Sequence, residues 1–521
     1  MDFLIHHMLQ TSARRHPAKE AIVHRDQRLT YDEVARRVGG LAHGLRQAGL
    51  ERGDRIGIYL EASVPQALSI FGVSQAGGVY VPVNGLLFPD QVAYIARDCG
   101  MKGFITTPEK LASLAPALKE VPSLEFVVLV AGSGLVDSPL AVHDFETFCR
   151  LEPPSRWREH AIEKDLAAIL YTSGSTGKPK GVMLSHAQIM AGSSIVSTYL
   201  GITDRDRLLA ALPFSFDAGM NQLMTAFQQG STLVLINFVF AREVVQTLLG
   251  ERVTGLAGVP TFWSLLAQPT SGLHKQPLPD LRYITNTGGA MPQTVLATLR
   301  AILPATDIVL MYGLTEAFRS TYLPPAELAR RPTSIGKAIP DTEILVVNEE
   351  GGLCKPGEVG ELVHRGPTVS LGYWGHPELT AKVLRPNPLL PPEIADVVCY
   401  SGDYVKMDEE GYLYFVGRRD TMIKSSGFRI SPTEVEEVLF RSGGLKGAAV
   451  IGLPDEVLGQ SIKAVVVARD GVSVDPAGLR EFCAANMPRH MVPKTIEVLD
   501  DLPKTPSGKV DYPALRGREG L

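Results

Sequence analysis

Apolar residues recur at helical spacing through Val34, Val38, Leu41 and Leu45, and this pattern predicts an amphipathic helix that runs to Gly49. Its start is marked by Thr30-Tyr31-Asp32-Glu33, a capping box in which the Thr30 hydroxyl and the Glu33 carboxylate satisfy orphan N–H groups. A strand is expected over 55–60, a helix over 65–75 and a strand over 79–83. The alternation returns with a strand over 167–171, a helix from His186, a strand over 207–212, a helix from Asn221 and a strand over 232–236. Alternating strands and helices predict two α/β units with parallel strands. Between 335 and 415 the texture changes to short β-like runs at 344–347, 360–364 and 412–415, separated by Gly, Pro and Asp, which predicts a small barrel or sheet. The stretch 384–392 reads as a surface loop. After Gly417 charge becomes dense, and Ser431-Pro432-Thr433-Glu434 gives a second capping box with Pro at the first helical position, so a new unit is expected to begin near Asp420.

Composition narrows this picture. At 521 residues the chain has room for several cores, three to four at roughly 150 residues per domain. Hydrophobic residues at 45% and charged residues at 21% are ordinary globular values, and 50 Gly with 37 Pro make a turn-rich chain. The net charge of −5 leaves no global positive field for nucleic acid or an anionic membrane, so any phosphate must be held locally. Cys99, Cys149, Cys354, Cys399 and Cys483 are scattered, with no CxxC or Cys/His spacing, which argues against a disulfide framework or structural zinc. The first residues lack a basic region followed by an apolar run, and the apolar stretch 233–240, broken by Asn237, is far short of the ~20 residues that span a bilayer. The expectation is a soluble cytoplasmic protein.

The chemistry concentrates in Thr172-Ser173-Gly174-Ser175-Thr176-Gly177-Lys178-Pro179-Lys180, directly after the predicted strand 167–171. Glycines let successive N–H groups point into one concavity, hydroxyls add donors and lysines add charge, which suits a polyphosphate such as a nucleoside triphosphate. A P-loop would need Gly at 172 and a hydroxyl at 179; Thr172 and Pro179 fail both tests. Ser175 and Lys178 match an SxxK pattern, but neither SDN nor KTG accompanies it. A flexible Ser/Gly linker is the bland alternative, and such a linker seldom sits between a buried strand and a helix.

Further motifs resemble the AMP-forming adenylating ligases, the superfamily of acyl-CoA synthetases, aryl and fatty-acyl ligases, peptide-synthetase adenylation domains and firefly-type luciferase. Tyr312-Gly313-Leu314-Thr315-Glu316 is similar to that family's YGxTE, Gly360-Glu361-Leu362 with Gly366 and Gly372-Tyr373 to its GELxxxG and GY, and Tyr400-Ser401-Gly402-Asp403 to YxTGD with Ser at the Thr position. Gly417-Arg418-Arg419-Asp420 runs through Lys424 and Gly427-Phe428-Arg429 to Glu434-Val435-Glu436, and Pro503-Lys504-Thr505-Pro506-Ser507-Gly508-Lys509 resembles the closing PxTxxGK. The resemblance spans nearly the whole chain. It implies an α/β fold: a large N-terminal domain, 1–419, of two α/β subdomains plus a β-barrel-like part, and a small mobile α+β lid, 420–521, hinged at Asp420.

It also implies roles. Thr172, Ser173, Gly174, Ser175, Thr176, Gly177 and Lys180 would hold the phosphates of ATP. Thr315 would meet the α-phosphate and Glu316 the Mg2+, a cation that takes oxygen ligands; a helix-start carboxylate is the alternative for Glu316. Asp403 would accept the ribose hydroxyls, Arg418 would pair with ribose or phosphate, and Tyr312 and Gly313 would border the nucleotide. Gly288-Gly289-Ala290 would form an adenine shelf, with a plain tight turn as the alternative. Lys509 would stabilise the charge that develops as a carboxylate attacks the α-phosphate, unless it is a frayed tail lysine. Lys424 would serve thioester formation, unless it is an ordinary surface lysine.

For the acyl pocket the resemblance implies Phe214, Asp217, Asn221, Thr285, Thr287, Met311, Arg319 and Ser320. The Phe216-Asp217 pair matches the one with which peptide-synthetase domains bind an α-ammonium, but Asp217 would equally suit a helix start. Arg319 would meet a second anionic group or brace its loop. The string from Met311 to Pro325 is similar to exosortase-associated acyl-CoA ligases and to stand-alone ligases that load proline-like amino acids onto carrier proteins. The expected reaction is two-step: a carboxylic or amino acid and Mg·ATP give an acyl-adenylate and pyrophosphate, then a thiol of CoA or of a phosphopantetheinyl carrier protein displaces AMP. A luciferase-like oxygenase and a non-catalytic nucleotide binder are the other classes.

Overall fold

Thr30 accepts the Glu33 N–H while the Thr30 N–H donates to Glu33 at 2.8 Å, and the helix Tyr31–Gln47 starts as its capping box predicts; it ends just before Gly49, whose φ of 96° only glycine adopts without strain. In the computed structural model the residues described are 2–132, 140–154, 157–172, 179–419, 422–425, 428–455, 458–505 and 510–519.

Two large sheets carry the body. One has seven strands in the order Ala141–Asp144, Phe126–Leu129, Gly103–Thr106, Arg55–Ile58, Val79–Pro82, Leu166–Thr172, Lys180–Ser185. The other has nine: Lys337–Ala338, Ala317–Leu323, Asp307–Leu314, Tyr283–Asn286, Gly255–Gly258, Arg207–Ala210, Thr232–Leu235, Glu20–His24, Gln27–Thr30. Most interior strands are parallel as expected, but the seven-stranded sheet ends on the antiparallel hairpin Leu166–Thr172 with Lys180–Ser185, and the nine-stranded one turns antiparallel at Asp307–Leu314 with Ala317–Leu323 and stays so to the edge strand Lys337–Ala338. Period-two alternation assigns the faces: Leu208 and Ala210 join a core shared by both sheets, while Leu209 between them enters a second core with Leu256, Leu248 and Trp263. The helix Val64–Gln75 is mostly apolar, is buried on nearly every face and lies in the shared core, where Phe71 packs on Phe227 at 4.8 Å between ring centroids. Burying each such ring is worth about 1.5–3 kcal/mol.

The β-rich part is an antiparallel sheet of Glu343–Val347, Val359–Arg365, Val397–Met407 and Leu384–Pro386, with Leu413–Arg418 also on Val397–Met407. Its last member corrects the loop expected over 384–392: Leu384–Pro386 pairs with Val397–Cys399, and the Asn387 amide donates to Asp396 at 2.8 Å to close the turn. A second correction concerns the helix expected from Asn221, which begins four residues earlier and spans Asp217–Gln229. The C-terminal unit is a five-stranded sheet of Ile423–Ser425, Phe428–Ile430, Leu445–Asp455, Gly459–Ala468 and Thr495–Leu499, with the helices Pro432–Arg441, Pro476–Asn486 and Tyr512–Gly517. Ser431 caps Pro432–Arg441 by accepting the Glu434 N–H, as predicted. All five cysteines are free, and burial raises every thiol, Cys99 and Cys149 to about 12. Among the described residues no helix is long and apolar enough to cross a membrane.

Candidate active site

The hairpin Leu166–Thr172/Lys180–Ser185 brings Thr172 opposite Lys180. Ser173, Gly174, Ser175, Thr176 and Gly177 lie outside the described residues. The segment 369–374 straps this hairpin to a second one. Leu371 donates to the Met183 carbonyl, Met183 to that of Gly372 and Trp374 to that of Gly181, at 2.8–2.9 Å, while Ser370 donates to the Glu316 carbonyl at 2.8 Å. Within the strap, the Tyr373 hydroxyl donates to Glu316 Oε1 at 2.6 Å, and the Lys180 ammonium sits 5.7 Å from the Tyr373 ring centre. Burial and the Glu316 charge push the Tyr373 phenol up, so it stays a neutral donor.

Thr315 and Glu316 are the two turn residues joining Asp307–Leu314 to Ala317–Leu323, since Leu314 pairs with Ala317. Glu316 therefore sits at a hairpin tip rather than at a helix start. One strand back, the Tyr312 hydroxyl donates to Asp403 Oδ2 at 2.6 Å. Asp403 lies opposite Arg418 in the β-rich sheet, with Arg418 Nε 3.2 Å from Oδ1. Ser401 Oγ accepts the Asp403 N–H at 3.0 Å and donates to the Leu362 carbonyl at 2.7 Å, while Glu361 accepts the Gly402 N–H at 3.0 Å, so the Ser in place of Thr keeps the turn anchored. Gly288, at φ 77°, leads into exposed Gly289 and Ala290 beyond Tyr283–Asn286, and the Asn286 amide donates to the Gly289 carbonyl at 2.9 Å.

On the acyl side, Asp217 occupies the first position of its helix, where its Oδ1 accepts the Ala218 N–H at 2.6 Å and its charge suits the helix N-terminus. Asn221, one turn on, lines a small cavity with Gln188, Ile189, Met220, Met224 and Phe318. Thr285 and Thr287 are buried in and just after the strand Tyr283–Asn286, and Met311 is buried in the neighbouring strand Asp307–Leu314. Arg319 is 5% exposed and donates from Nη1 to Thr287 Oγ1. Two further expected pocket residues are buried close by, in the same core and hydrogen-bond network as residues that line this cavity. Phe214 is fully buried in the shared core, and Ser320 hydrogen-bonds His364 Nδ1 at 3.0 Å. His364 Nε2 meets Thr368 Oγ1 at 3.1 Å, and burial pushes the imidazole down to about 4.

Lys424 lies on the strand Ile423–Ser425, whereas Asp420 and Lys509 are outside the described residues. Tyr373 and Glu361 stand inside the GY and GEL motifs, but their partners lie 57 and 41 residues away, a separation that no local pattern encodes. The chemistry fits a nucleotide with a hard cation. Glu316 Oε1 is fixed by a phenol while Oε2 has no hydrogen bond among the described residues, and an ammonium and a turn hydroxyl stand on the same two hairpins.

Residues 9–374 match the AMP-binding enzyme family and residues 434–509 the AMP-binding enzyme C-terminal domain. Feruloyl-CoA synthase of Amycolatopsis sp is 34% identical over 511 residues, covering 98% of this chain and 97% of that protein. Long-chain-fatty-acid–CoA ligase of Bacillus subtilis (strain 168) is 29% identical over 530 residues, covering 96% and 92%. The crystal structure of the anthranilate CoA ligase AuaEII in complex with anthranoyl-AMP superposes with a TM-score of 0.89 at 26% identity, covering 100% of this chain and 98% of that one. With its family domains, its two-hairpin site and these full-length likenesses, the chain belongs to the AMP-binding enzymes and is an AMP-forming acid–thiol ligase.

Proposed function

We propose that the chain joins a small carboxylic acid to the thiol of CoA through an acyl-adenylate, with the residues above in the following roles. A carboxylate oxygen of the acid attacks the α-phosphorus of ATP, the bond to the β-phosphate oxygen breaks and pyrophosphate leaves. The thiol sulfur then attacks the acyl carbonyl, its proton passes to solvent and AMP departs. Asp403, with Arg418 beside it, accepts the ribose hydroxyls, Gly288-Gly289-Ala290 offers backbone to the base, and Thr172 to Gly177 with Lys180 hold the phosphates. Thr315 donates to the α-phosphate. Glu316 would hold Mg2+, which supplies charge neutralisation to the phosphates when bound. Lys509 stabilises the adenylation transition state and Lys424 serves the thioester step, each carried by the small domain 420–521 as it turns about Asp420 against 1–419.

The observation that carries this reading is the pair of phenol–carboxylate bonds, Tyr312 to Asp403 and Tyr373 to Glu316, which fix a diol acceptor and a cation ligand relative to one hairpin. For the acyl end, the helix N-terminus satisfies the Asp217 charge without a substrate ammonium, which favours a carboxylic acid over a proline-like amino acid; the likeness to feruloyl-CoA synthase and a long-chain-fatty-acid–CoA ligase favours CoA as the acceptor. Acid-dependent exchange of 32P-labelled pyrophosphate into ATP tests the first step, and thioester formation with CoA against a phosphopantetheinylated carrier tests the second. Exchange with no acid, or an unaltered Lys509→Ala variant, would sink the proposal.

A further inference from the structure

We infer that Arg319 is the receptor for a second anionic group at the far end of the acid, so that the enzyme selects carboxylic acids carrying a distal carboxylate or an equivalent anion. The inference deepens the reading above and rests on it. Between the pairs Leu314 with Ala317 and Tyr312 with Thr321 the hairpin advances two residues on one strand and four on the other. The excess forms a bulge that holds Arg319 at φ 56°, a left-handed conformation that L side chains seldom adopt. Gly313 faces it, and a Cβ there would come within 2.7 Å of the Arg319 Cα. The bulge turns a long cation into the protein rather than out to water.

What it meets there is not a counter-ion. Arg319 is 5% exposed and among the described residues it forms no ion pair. Its Nη1 donates to Thr287 and its guanidinium lies 4.9 Å from the Phe318 ring centre. Among the described residues neither the buried Nε nor Nη2 has a hydrogen-bond partner. Those two donors point along the same edge of the fork, the edge that grips a carboxylate through two parallel hydrogen bonds. Around it stand Tyr199, stacked on Tyr322 at 4.4 Å, and Met311, 3.4 Å from the Tyr199 hydroxyl, an apolar wall suited to the body of the acid. A buried guanidinium with its bidentate edge unused is costly unless a ligand completes it. The strain, the burial and the unpaired edge coincide at one residue in the expected acyl pocket.

The test uses the full-length enzyme and matched acids that differ only at the distal end: hexanoate against adipate and benzoate against terephthalate. In pyrophosphate exchange the wild type is expected to favour the diacid in kcat/KM by roughly tenfold or more, and Arg319→Met to invert that preference mainly through the diacid KM, with Arg319→Lys between them. Thermal unfolding supplies the independent readout. A brace would make ligand-free Arg319→Met melt lower. A waiting receptor makes it melt at or above the wild type, with a diacid-induced rise in Tm of about 2 °C or more in the wild type alone. A wild type that favours the monoacids, or a variant that keeps the diacid preference or melts lower with preference intact, overturns the inference. If no acid supports exchange, the reaction proposed above fails, and the diacid thermal shift still decides the role of Arg319.

Discussion

The two ends of the site differ in how their polar groups are paired. At the nucleotide end Asp403 takes the Tyr312 phenol and Arg418, and Glu316 takes the Tyr373 phenol, so each working carboxylate is fixed by protein before any ligand arrives. At the acyl end Arg319 spends one donor on Thr287 and, among the described residues, leaves its bidentate edge unused. A partner common to every turnover is met by carboxylates already held in place by phenols, with Glu316 Oε2 left open to it among the described residues. A partner that varies from enzyme to enzyme is met by groups still lacking theirs, which is where the choice of substrate is exercised.

The sharpest way to break this contrast is to remove a carboxylate from the nucleotide end. Glu316→Gln keeps the Tyr373 bond but loses the charge, and pyrophosphate exchange is expected to fall about 100- to 1,000-fold for every acid tried. Asp403→Asn is expected to raise the KM for ATP about 10- to 100-fold, again uniformly across acids, because a charged hydrogen-bond acceptor is lost. Were either change to alter the ranking of acids, the two ends would not be separable. Gly313→Ala probes the join between them. Its Cβ would press on the Arg319 backbone, and differential scanning calorimetry should register a loss of about 1–3 kcal/mol.

The smallest effect concerns the buried imidazole behind the acyl end. His364, at about 4 in the folded protein against 6.5 unfolded, binds its proton more readily when unfolded. Its contribution to stability is thus complete above pH 6.5 and drains away as pH falls towards 4, by about 2 kcal/mol at pH 5. Urea unfolding at pH 7 and pH 5 should show this loss in the wild type and a smaller one in His364→Asn.

Much of the scaffold was legible because its signals are local. Thr30 with Glu33 and Ser431 with Glu434 bond across three residues, and the alternation of apolar runs follows from burial on both sheets. The helix at Asp217 was read four residues late because its cap, Phe216, offers no side-chain hydrogen bond to mark the start. Leu384–Pro386 looked like loop because a three-residue edge strand is defined by its partner at Val397–Cys399, not by its own composition. The motif residues at the nucleotide end were visible as a resemblance, but the phenols that hold them were not, since those bonds join residues 57 and 91 apart. The isolation of Arg319 was likewise hidden. A sequence shows a cation; only the fold shows which carboxylates stay away.

The raised thiols bear on a hazard particular to this chemistry. An acyl-adenylate is a mixed anhydride made in the presence of a thiol that is meant to consume it, and any thiolate of the enzyme's own would compete for the acyl group. With Cys99 and Cys149 at about 12 and Cys354, Cys399 and Cys483 also pushed above the ordinary range, the chain offers almost no sulfur nucleophile near neutral pH. Raised thiols thus keep the enzyme's own sulfur a weak competitor for the activated acid.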